Sequence, residues 1–279
     1  MSAIDETLPA AGEPRLSPIS GEWILRIIVP VAVFVLSLLA WEGYVAFFDI
    51  KPFDLPAPSL VFRTLLKDWG TLSGSLLVTL QTTFLSLLIA VVGGVLLAIL
   101  FSLSKWVELA LFPYTIIMQV TPVIAIAPLL LIHFSAQTAI LICAFLVGFF
   151  PILANTAVGL ASADHNLVDL FQLSRASRWQ TLVLLRLPSM LPYFLTGLRI
   201  AGGLSLIAAI VAELAAGSAG QGSGLAYRIV ESGYRLNIPR MYAALVLISL
   251  SGIAIFVFFN IVSHLLLGRW HDSARRREA

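Results

Sequence analysis

Residues 109–163, LALFPYTIIMQVTPVIAIAPLLLIHFSAQTAILICAFLVGFFPILANTAVGLASA, form the stretch that decides the fold. They comprise 55 residues without a single Asp, Glu, Lys or Arg. A helix that crosses a bilayer needs about 20 mostly apolar residues, so this stretch is long enough for two spans. Its densest polar cluster, HFSAQT at residues 133–138, is the predicted break between them. The stretch therefore indicates a protein that crosses a membrane more than once.

The composition of the whole chain supports this interpretation. Of its 279 residues, 59% are hydrophobic and 11% are charged, whereas a soluble domain carries about 25% charged residues. The mean hydropathy of +0.97 excludes a disordered chain. Cys143 is the only cysteine, so no internal disulfide is expected. A net charge of +2 is too small to indicate a nucleic-acid-binding protein.

Four further apolar stretches each predict one span, which brings the expected total to six. They lie near residues 24–48, 76–103, 188–215 and 241–267. Between the first two, LVFRTLLKDW at 60–69 has apolar residues at helical spacing and is predicted to lie on the membrane surface. The expected fold class is all-α, a polytopic membrane protein with about six transmembrane helices.

The distribution of basic residues predicts the orientation. With both termini in the cytoplasm, ten Lys and Arg residues lie inside and six outside, and Arg199 lies within a span. The expected division is a disordered cytoplasmic tail (1–22), a first transmembrane helix with an external interfacial segment (23–75), a core (76–267) and a basic cytoplasmic tail (268–279).

Motifs for covalent chemistry are absent from the sequence. There is no GxxxxGK[ST] phosphate-binding loop, and GSAGQGSG at 217–224 departs from both that pattern and GxGxxG. It is predicted to be an external turn. The four histidines are scattered, and no GxSxG or HExxH occurs. We therefore expect no catalytic residue, cofactor site or metal site in this chain.

A patterned segment between the fourth and fifth spans, at 164–203, is the most informative part of the sequence. Asp164 is predicted to cap a short helix. Its inward face is predicted to comprise Leu167, Leu170, Phe171 and Ser174, with His165, Asn166, Asp169 and Gln172 more exposed. Such a helix either docks on a partner or lies on lipid headgroups with Arg175 and Arg178 on phosphates, and the pattern leaves both open.

The segment resembles the cytoplasmic signature of binding-protein-dependent ABC transporter permeases. That signature reads E-A-A, three residues, Gly, and about nine residues later I-x-L-P. Asp169 stands at the Glu, Leu170 and Phe171 at the two Ala, Arg175 at the Gly, and Leu185, Leu187 and Pro188 at I-x-L-P. Arg175 is the main departure, because the usual glycine permits a positive φ between two short helices.

Other motifs resemble the nitrate, sulfonate and taurine branch of that family. They are WE (41–42), LPAPS (55–59), Pro113, Pro122 and Pro128 in the third span, FFPILANTAVGL (149–160), ASRWQ (176–180) and TGLRIAGG (196–203). The unusual loop and GSAGQGSGLAYRI at 217–229 resemble vitamin-type members, which transport riboflavin or a thiamine-pyrimidine precursor. The resemblance covers about residues 35–265.

This resemblance implies a permease subunit of an ABC importer in the bacterial inner membrane. The expected partners are a second permease copy, two separate ATPases that use ATP and Mg²⁺, and a periplasmic or lipid-anchored solute-binding protein. The loop at 164–187 is expected to couple the chain to the ATPases. The residues expected to take part are Asp169, Leu170, Phe171, Arg175, Arg178 and Pro188.

Two charges inside the fifth span are candidates for the translocation pathway. Arg199 and Glu213 are separated by 14 residues, or about 21 Å of helix. Pro122 and Pro128 free backbone carbonyls that could line a cavity. The structural alternative places Glu213 at the outer interface and pairs Arg199 with backbone carbonyls or a neighbouring helix. Alternative functions are a proton-coupled carrier that uses Glu42, Arg199 and Glu213, and a membrane-embedded enzyme.

Overall fold

A computed structural model describes residues 20–217 and 223–268. The described residues contain helices and connecting turns and no strand. The helices are α1 (Ser20–Phe47), α2 (Pro58–Lys67), α3 (Trp69–Leu103), α4 (Lys105–Val120), α5 (Val123–His133), α6 (Ala136–Ala161), α7 (His165–Leu173), α8 (Arg178–Thr181), α9 (Leu187–Ala216), α10 (Leu225–Tyr234) and α11 (Ile238–Leu267), with a π-helical turn, Leu182–Arg186, between α8 and α9. The predicted tails and most of GSAGQGSG lie outside the described residues.

Within the described residues, five helices are long and apolar enough to cross a membrane. They are α1, α3, α6, α11 and the continuous run from α8 through α9. The predicted third span is not one straight helix: α4 and α5 are bent by 104° relative to each other. Pro122 explains the bend, because it has no N–H and holds the residue before it, Thr121, in an extended conformation. Counting this bent pair as one span gives the predicted six.

The other predicted boundaries agree with the structure, with one extension. The break at 133–138 is confirmed, since α5 ends at His133 and α6 begins at Ala136. The predicted surface helix is α2. Helix α3 begins at Trp69, seven residues before the predicted start at 76. Its polar first turns are stable as helix because they face other helices, and Ser75 is buried.

The core lies where α6 packs against α3 and α9. Glycines let the backbones of α6 and α9 approach closely: a Cβ at Gly159 would lie 2.7 Å from Met190 Cα, and one at Gly197 would lie 2.7 Å from the Pro151 carbonyl oxygen. Small residues at such contacts are characteristic of packed membrane helices. The motifs FFPILANTAVGL and TGLRIAGG therefore supply the two sides of this interface.

The bundle has two different ends. We name the end that carries α7 and α8 the loop end, and the end that carries α2 and α10 the α10 end. Helix α1 joins the bundle at the α10 end, where the Trp41 ring lies 5.8 Å from that of Tyr242 in α11. The rest of its apolar span is exposed.

Candidate functional site

The segment at 164–203 folds into a defined helix–turn–helix unit. The Asp164 side chain caps α7 by accepting a 2.8 Å hydrogen bond from the Asn166 amide, as predicted. At the other end of α7, the Ala176 amide donates to the Phe171 carbonyl at 2.9 Å and the Arg175 amide donates to the Gln172 carbonyl at 3.0 Å. This pair of bonds is a Schellman motif, which satisfies carbonyl groups at the helix end.

Arg175 occupies the left-handed position of this motif, with φ 54°. Glycine is usual there because a Cβ costs about 1 kcal/mol in this conformation. An arginine thus adopts the positive φ that a glycine would permit more easily. The turn between α7 and α8 is formed here without a glycine.

Helix α8 starts with a capping box. The Ser177 hydroxyl accepts from the Gln180 amide at 3.2 Å, and the Gln180 side chain accepts from the Ser177 amide at 2.7 Å. From Leu182 the chain widens into the π turn, which ends as the Leu187 amide donates to the Leu182 carbonyl. The wider turn accommodates Pro188, whose ring would clash with a carbonyl in a regular α-helix. Helix α8 is thus continuous with the α9 span.

The prediction of which side chains of α7 face inward is wrong in part. Val168 and Phe171 are the half-buried residues, whereas Leu167, Leu170 and Leu173 are exposed, the last two by 54% and 83%. Ser174 is exposed too, as are His165, Asn166, Asp169 and Gln172. Helix α7 has only nine residues, and its apolar side chains extend around more than one face, so periodicity did not specify the inward face. The outward apolar surface of α7 comprises Leu170 and Leu173. Trp179 of α8, which follows in the chain, is also exposed.

Arg186 anchors the start of the α9 span, a role that sequence reasoning missed. Its Nη1 donates to the Ser102 carbonyl oxygen at 3.2 Å and to the Ser102 Oγ at 2.7 Å. These bonds join the end of the α7–α8 segment to the end of α3. The only signal in the sequence was a single arginine directly before the apolar stretch of the α9 span.

Glu213 is buried at the α10 end, with 3% of its surface exposed. Its Oε1 accepts from the Thr79 hydroxyl at 2.8 Å, and its Oε2 accepts from the Ala226 amide at 3.1 Å. The Thr79 hydroxyl also accepts from the Leu225 amide at 2.9 Å. Gly224 is required here, because a Cβ would overlap the Glu213 carboxylate. The Thr79 hydroxyl and the Glu213 carboxylate therefore accept the first two amides of α10, those of Leu225 and Ala226.

Arg199 is half-buried and links α9 to α11. Its Nη1 donates to Asn260 Oδ1 at 2.8 Å. Arg199 and Glu213 thus have partners on different helices, and the structure does not bring them together. Pro122 and Pro128 are exposed on the protomer surface. The residues on either side of Pro122 border a cavity of about 170 Å³ against α6 and α9.

Two sequence motifs meet at the α10 end, a contact that sequence reasoning missed. Glu42 of the WE motif accepts from the Ser59 amide at 2.9 Å and from its hydroxyl at 2.7 Å. Ser59 belongs to LPAPS and lies in the first turn of α2, where a carboxylate is favourable. Glu42 therefore caps α2.

Ion pairs lie within and beside α10. Glu231 pairs with Arg228 of the same helix at 2.8 Å and with Arg235, directly after the helix, at 3.0 Å. Arg240 of α11 lies 3.5 Å from Asp68, which stands between α2 and α3. The hydrogen bond from Arg228 is the main cause that lowers the pKa of Glu231 below its ordinary value, with the nearby arginine charges adding to it. The carboxylate of Glu231 thus stays ionised at neutral pH.

The described residues thus combine a bent helix pair, close-packed apolar helices and a helix–turn–helix loop. The family described as "Binding-protein-dependent transport system inner membrane component" matches residues 90–272, and the chain belongs to this family.

Similar proteins support the same assignment. The formylaminopyrimidine transport permease protein ThiX of Halalkalibacterium halodurans is 32% identical, covering 85% of this chain and 94% of ThiX. The riboflavin transport system permease protein RibX of Chloroflexus aurantiacus is 32% identical, covering 97% of this chain and all of RibX (100%). The crystal structure of an amino acid ABC transporter has a TM-score of 0.60 at 18% identity, covering 75% of this chain and 98% of that chain, which shows the shared fold.

The chain is therefore a permease subunit of an ABC importer and a multi-pass membrane protein. Members of this family work with ATPase and solute-binding partners. The proton-coupled carrier and the membrane-embedded enzyme are set aside. Of the three residues assigned to the carrier, Glu42 and Glu213 accept the amides of other helices, and Arg199 donates to Asn260.

Proposed function

We propose that this permease imports a vitamin-type heteroaromatic solute, of the riboflavin or pyrimidine class, by ATP-driven alternating access. The coupling part of the proposal rests on the α7–α8 segment. Helix α7 exposes leucines there, and hydrogen bonds fix the backbone of the turn that follows it. The substrate class is supported by the similarity to ThiX and RibX, which extends over most of the chain.

The α7–α8 segment suits docking into a groove of an ATPase. Leu170 and Leu173 leave water when a partner covers them, and each such side chain contributes about 1 to 2 kcal/mol on full burial. The Asp164 cap, the Schellman motif and the Ser177 capping box hold the segment in one geometry, which lowers the conformational entropy lost on binding. Asp169, exposed beside Leu170, is available to pair with a basic residue of the ATPase.

A displacement of the α7–α8 segment is transmitted directly to the transmembrane helices. Helix α8 continues through the π turn into α9, and Arg186 ties the same point to Ser102 at the end of α3. When the ATPases close on ATP, displacement of α7 and α8 therefore shifts α9 and α3 together. Arg178 and Pro188 flank the two ends of this continuous connection.

We infer that the pathway forms between two copies of the chain. Pro122 and Pro128 lie on the exterior of one copy, where a second copy would bring them to a shared interface. The complete importer then contains two permeases, two ATPases and a solute-binding protein. Hydrolysis of ATP, with Mg²⁺, belongs to the ATPases, and the purified permease alone is expected to show no ATPase activity.

The loop end is proposed to face the cytoplasm. The excess of basic residues on the side that includes both tails supports this orientation. A cysteine at exposed Ser174 should react in intact cells only with a membrane-permeant maleimide, and one at exposed Leu236 with an impermeant maleimide. Cys143 does not interfere because it is fully buried. Reversed labelling would overturn the orientation.

Uptake in proteoliposomes tests the proposed function. The permease is reconstituted with its ATPase and solute-binding protein, and uptake of riboflavin, formylaminopyrimidine and taurine is measured with and without internal ATP. The proposal predicts ATP-dependent uptake of riboflavin or the pyrimidine. Uptake of taurine alone would reject the substrate class, and uptake driven by a proton gradient without ATP would reject the coupling.

A further inference from the structure

A basic cavity lies at the loop end, beside the connection between the α7–α8 segment and α3. It has a volume of about 660 Å³ and lies between the α3–α4 turn and the α7–α8 segment. Lys105, Arg178 and Arg186 line it, and its lining contains no acidic residue. Three positive charges from three separate parts of the chain therefore converge on one space.

The three cations have unused capacity to bind an anion. Within the described part of the chain, Arg186 makes both of its hydrogen bonds from Nη1 to Ser102, which holds its guanidinium in place and leaves Nη2 and Nε as donors. Among the described residues, Lys105 and Arg178 have no carboxylate within 4.0 Å. Glu108 and His165 line an adjoining cavity of about 410 Å³, which shares Lys105 and Arg186.

Two hydroxyl groups and the position of the cavity also favour the binding of an anion. Ser102 Oγ accepts from Arg186, and Ser104 Oγ accepts from the Val107 amide at 3.5 Å, so each hydroxyl hydrogen can be donated to a ligand. The cavity lies where α3 ends at Leu103 and α4 begins at Lys105. Trp106, whose exposed indole also lines the cavity, is typical of the membrane–water boundary.

We propose that this cavity binds a phosphate group, carried by an anionic phospholipid headgroup or by a soluble phosphate. The planar guanidinium groups of Arg178 and Arg186 match the geometry of phosphate oxygens, and Lys105 adds a compact charge. Basic pockets between membrane helices commonly hold such headgroups. The bound phosphate bridges the α3–α4 turn to the α7–α8 segment and so supports the loop at its base.

Native mass spectrometry of the full chain in a neutral detergent tests the site. The probes are phosphatidylglycerol, phosphatidylcholine with the same acyl chains, and inorganic phosphate. Phosphatidylglycerol should be retained in preference to phosphatidylcholine. Lys105→Gln and Arg178→Gln should each weaken its binding about fivefold, and the double variant about 25-fold.

Matched variants separate the site from general charge effects. Arg63→Gln with Lys67→Gln removes two exposed cations from α2 at the opposite end and should leave the preference unchanged. Lys105→Arg with Arg178→Lys keeps the charge and should restore most of the binding. Slow reaction of buried Cys143 with maleimide confirms that each variant is folded.

The outcomes decide both the site and the source of the phosphate. Displacement of the lipid by millimolar inorganic phosphate, with the same dependence on Lys105 and Arg178, supports the site and assigns a soluble phosphate. Retention of the lipid under those conditions supports the site and assigns the headgroup. Equal retention of the two lipids together with no binding of inorganic phosphate, or unchanged binding in the double glutamine variant, would overturn the proposal.

Discussion

The α10 end and the loop end of this permease differ in whether their side chains have partners within the same chain. At the α10 end, the acidic residues Glu42, Glu213 and Glu231 are bonded to neighbouring helices or arginines of the same chain. At the loop end, the backbone is equally well capped, but Leu170 and Leu173 face outward. The acidic groups of the α10 end are therefore paired within one chain, whereas the loop end leaves an apolar surface exposed, which we propose is covered by a partner.

Removal of the Glu213 carboxylate should have the largest effect on stability. Glu213→Ala leaves the Ala226 amide without its acceptor and Thr79 without its carboxylate partner, which should cost about 3 kcal/mol. The measurement is thermal unfolding in detergent, which is detected through the reaction of Cys143 with a fluorogenic maleimide as the residue becomes exposed. Glu108→Ala removes an exposed carboxylate and is the control. Equal melting temperatures for the two variants would show that the buried carboxylate does not stabilise the α10 end.

The close contact at Gly224 should give the next largest effect. Gly224→Ala places a methyl group into the Glu213 carboxylate, so one of them must move, at a cost of about 2 kcal/mol. Gly203→Ala is the matched control, because a Cβ there meets nothing within 4 Å and alanine favours a helix. The same maleimide assay should rank Gly203→Ala at or above wild type and Gly224→Ala well below it. The reverse order would contradict the described contact.

At the loop end, introducing a glycine at position 175 should stabilise the fold, whereas replacing the glycine at position 224 should destabilise it. Arg175→Gly relieves the left-handed strain and should raise stability by up to about 1 kcal/mol or leave it unchanged, while Arg175→Val should lower it by about 1 kcal/mol. Hydrogen exchange at the Ala176 amide, which closes the Schellman motif, is the local measurement. Faster exchange in the glycine variant than in the valine variant would show that the turn does not need this conformation.

Acid should loosen α10 by a smaller amount. Because Arg228 lowers the pKa of Glu231 in the folded chain, this carboxylate stabilises the fold above its unfolded pKa of about 4.3, and the stabilisation is lost as pH falls through the lower folded pKa. For such an ion pair we expect about 0.5 kcal/mol. Glu231→Gln should remove this part of the pH dependence when melting is compared between pH 7 and pH 3. An unchanged pH profile in the variant would mean that Glu231 does not contribute.

Features that depend on local sequence were predictable, and features that depend on distant contacts were not. The span boundaries, the break at 133–138 and the Asp164 cap follow from residues within a few positions. The bonds of Glu213 join residues 134 and 13 positions away, so the sequence showed the buried charge without its partners. The 104° bend at Pro122 also escaped prediction, since proline in a membrane helix produces either a mild kink or a full break.

The partly wrong prediction for the inward face of α7 has a further physical reason. A nine-residue helix makes two and a half turns, and its apolar side chains extend around more than one face, so helical periodicity does not specify which face packs inward. Which side packs inward depends on α8 and the π turn that follow. For the proposed coupling, this moves the docking surface from Phe171, which is half-buried, to Leu170 and Leu173.

Co-purification of a tagged ATPase with loop variants tests the central claim most directly. Leu170→Ala with Leu173→Ala should weaken the association about thirtyfold, equivalent to about 2 kcal/mol, while Tyr234→Ala with Leu236→Ala, equally exposed at the α10 end, should leave it unchanged. Phe171→Ala should weaken it too, because Phe171 packs beneath this surface. If α7 instead lies on lipid, these apolar changes will have no effect and the loss of Arg175 and Arg178 will matter. Wild-type recovery of the ATPase and wild-type transport in the double leucine variant would contradict the account.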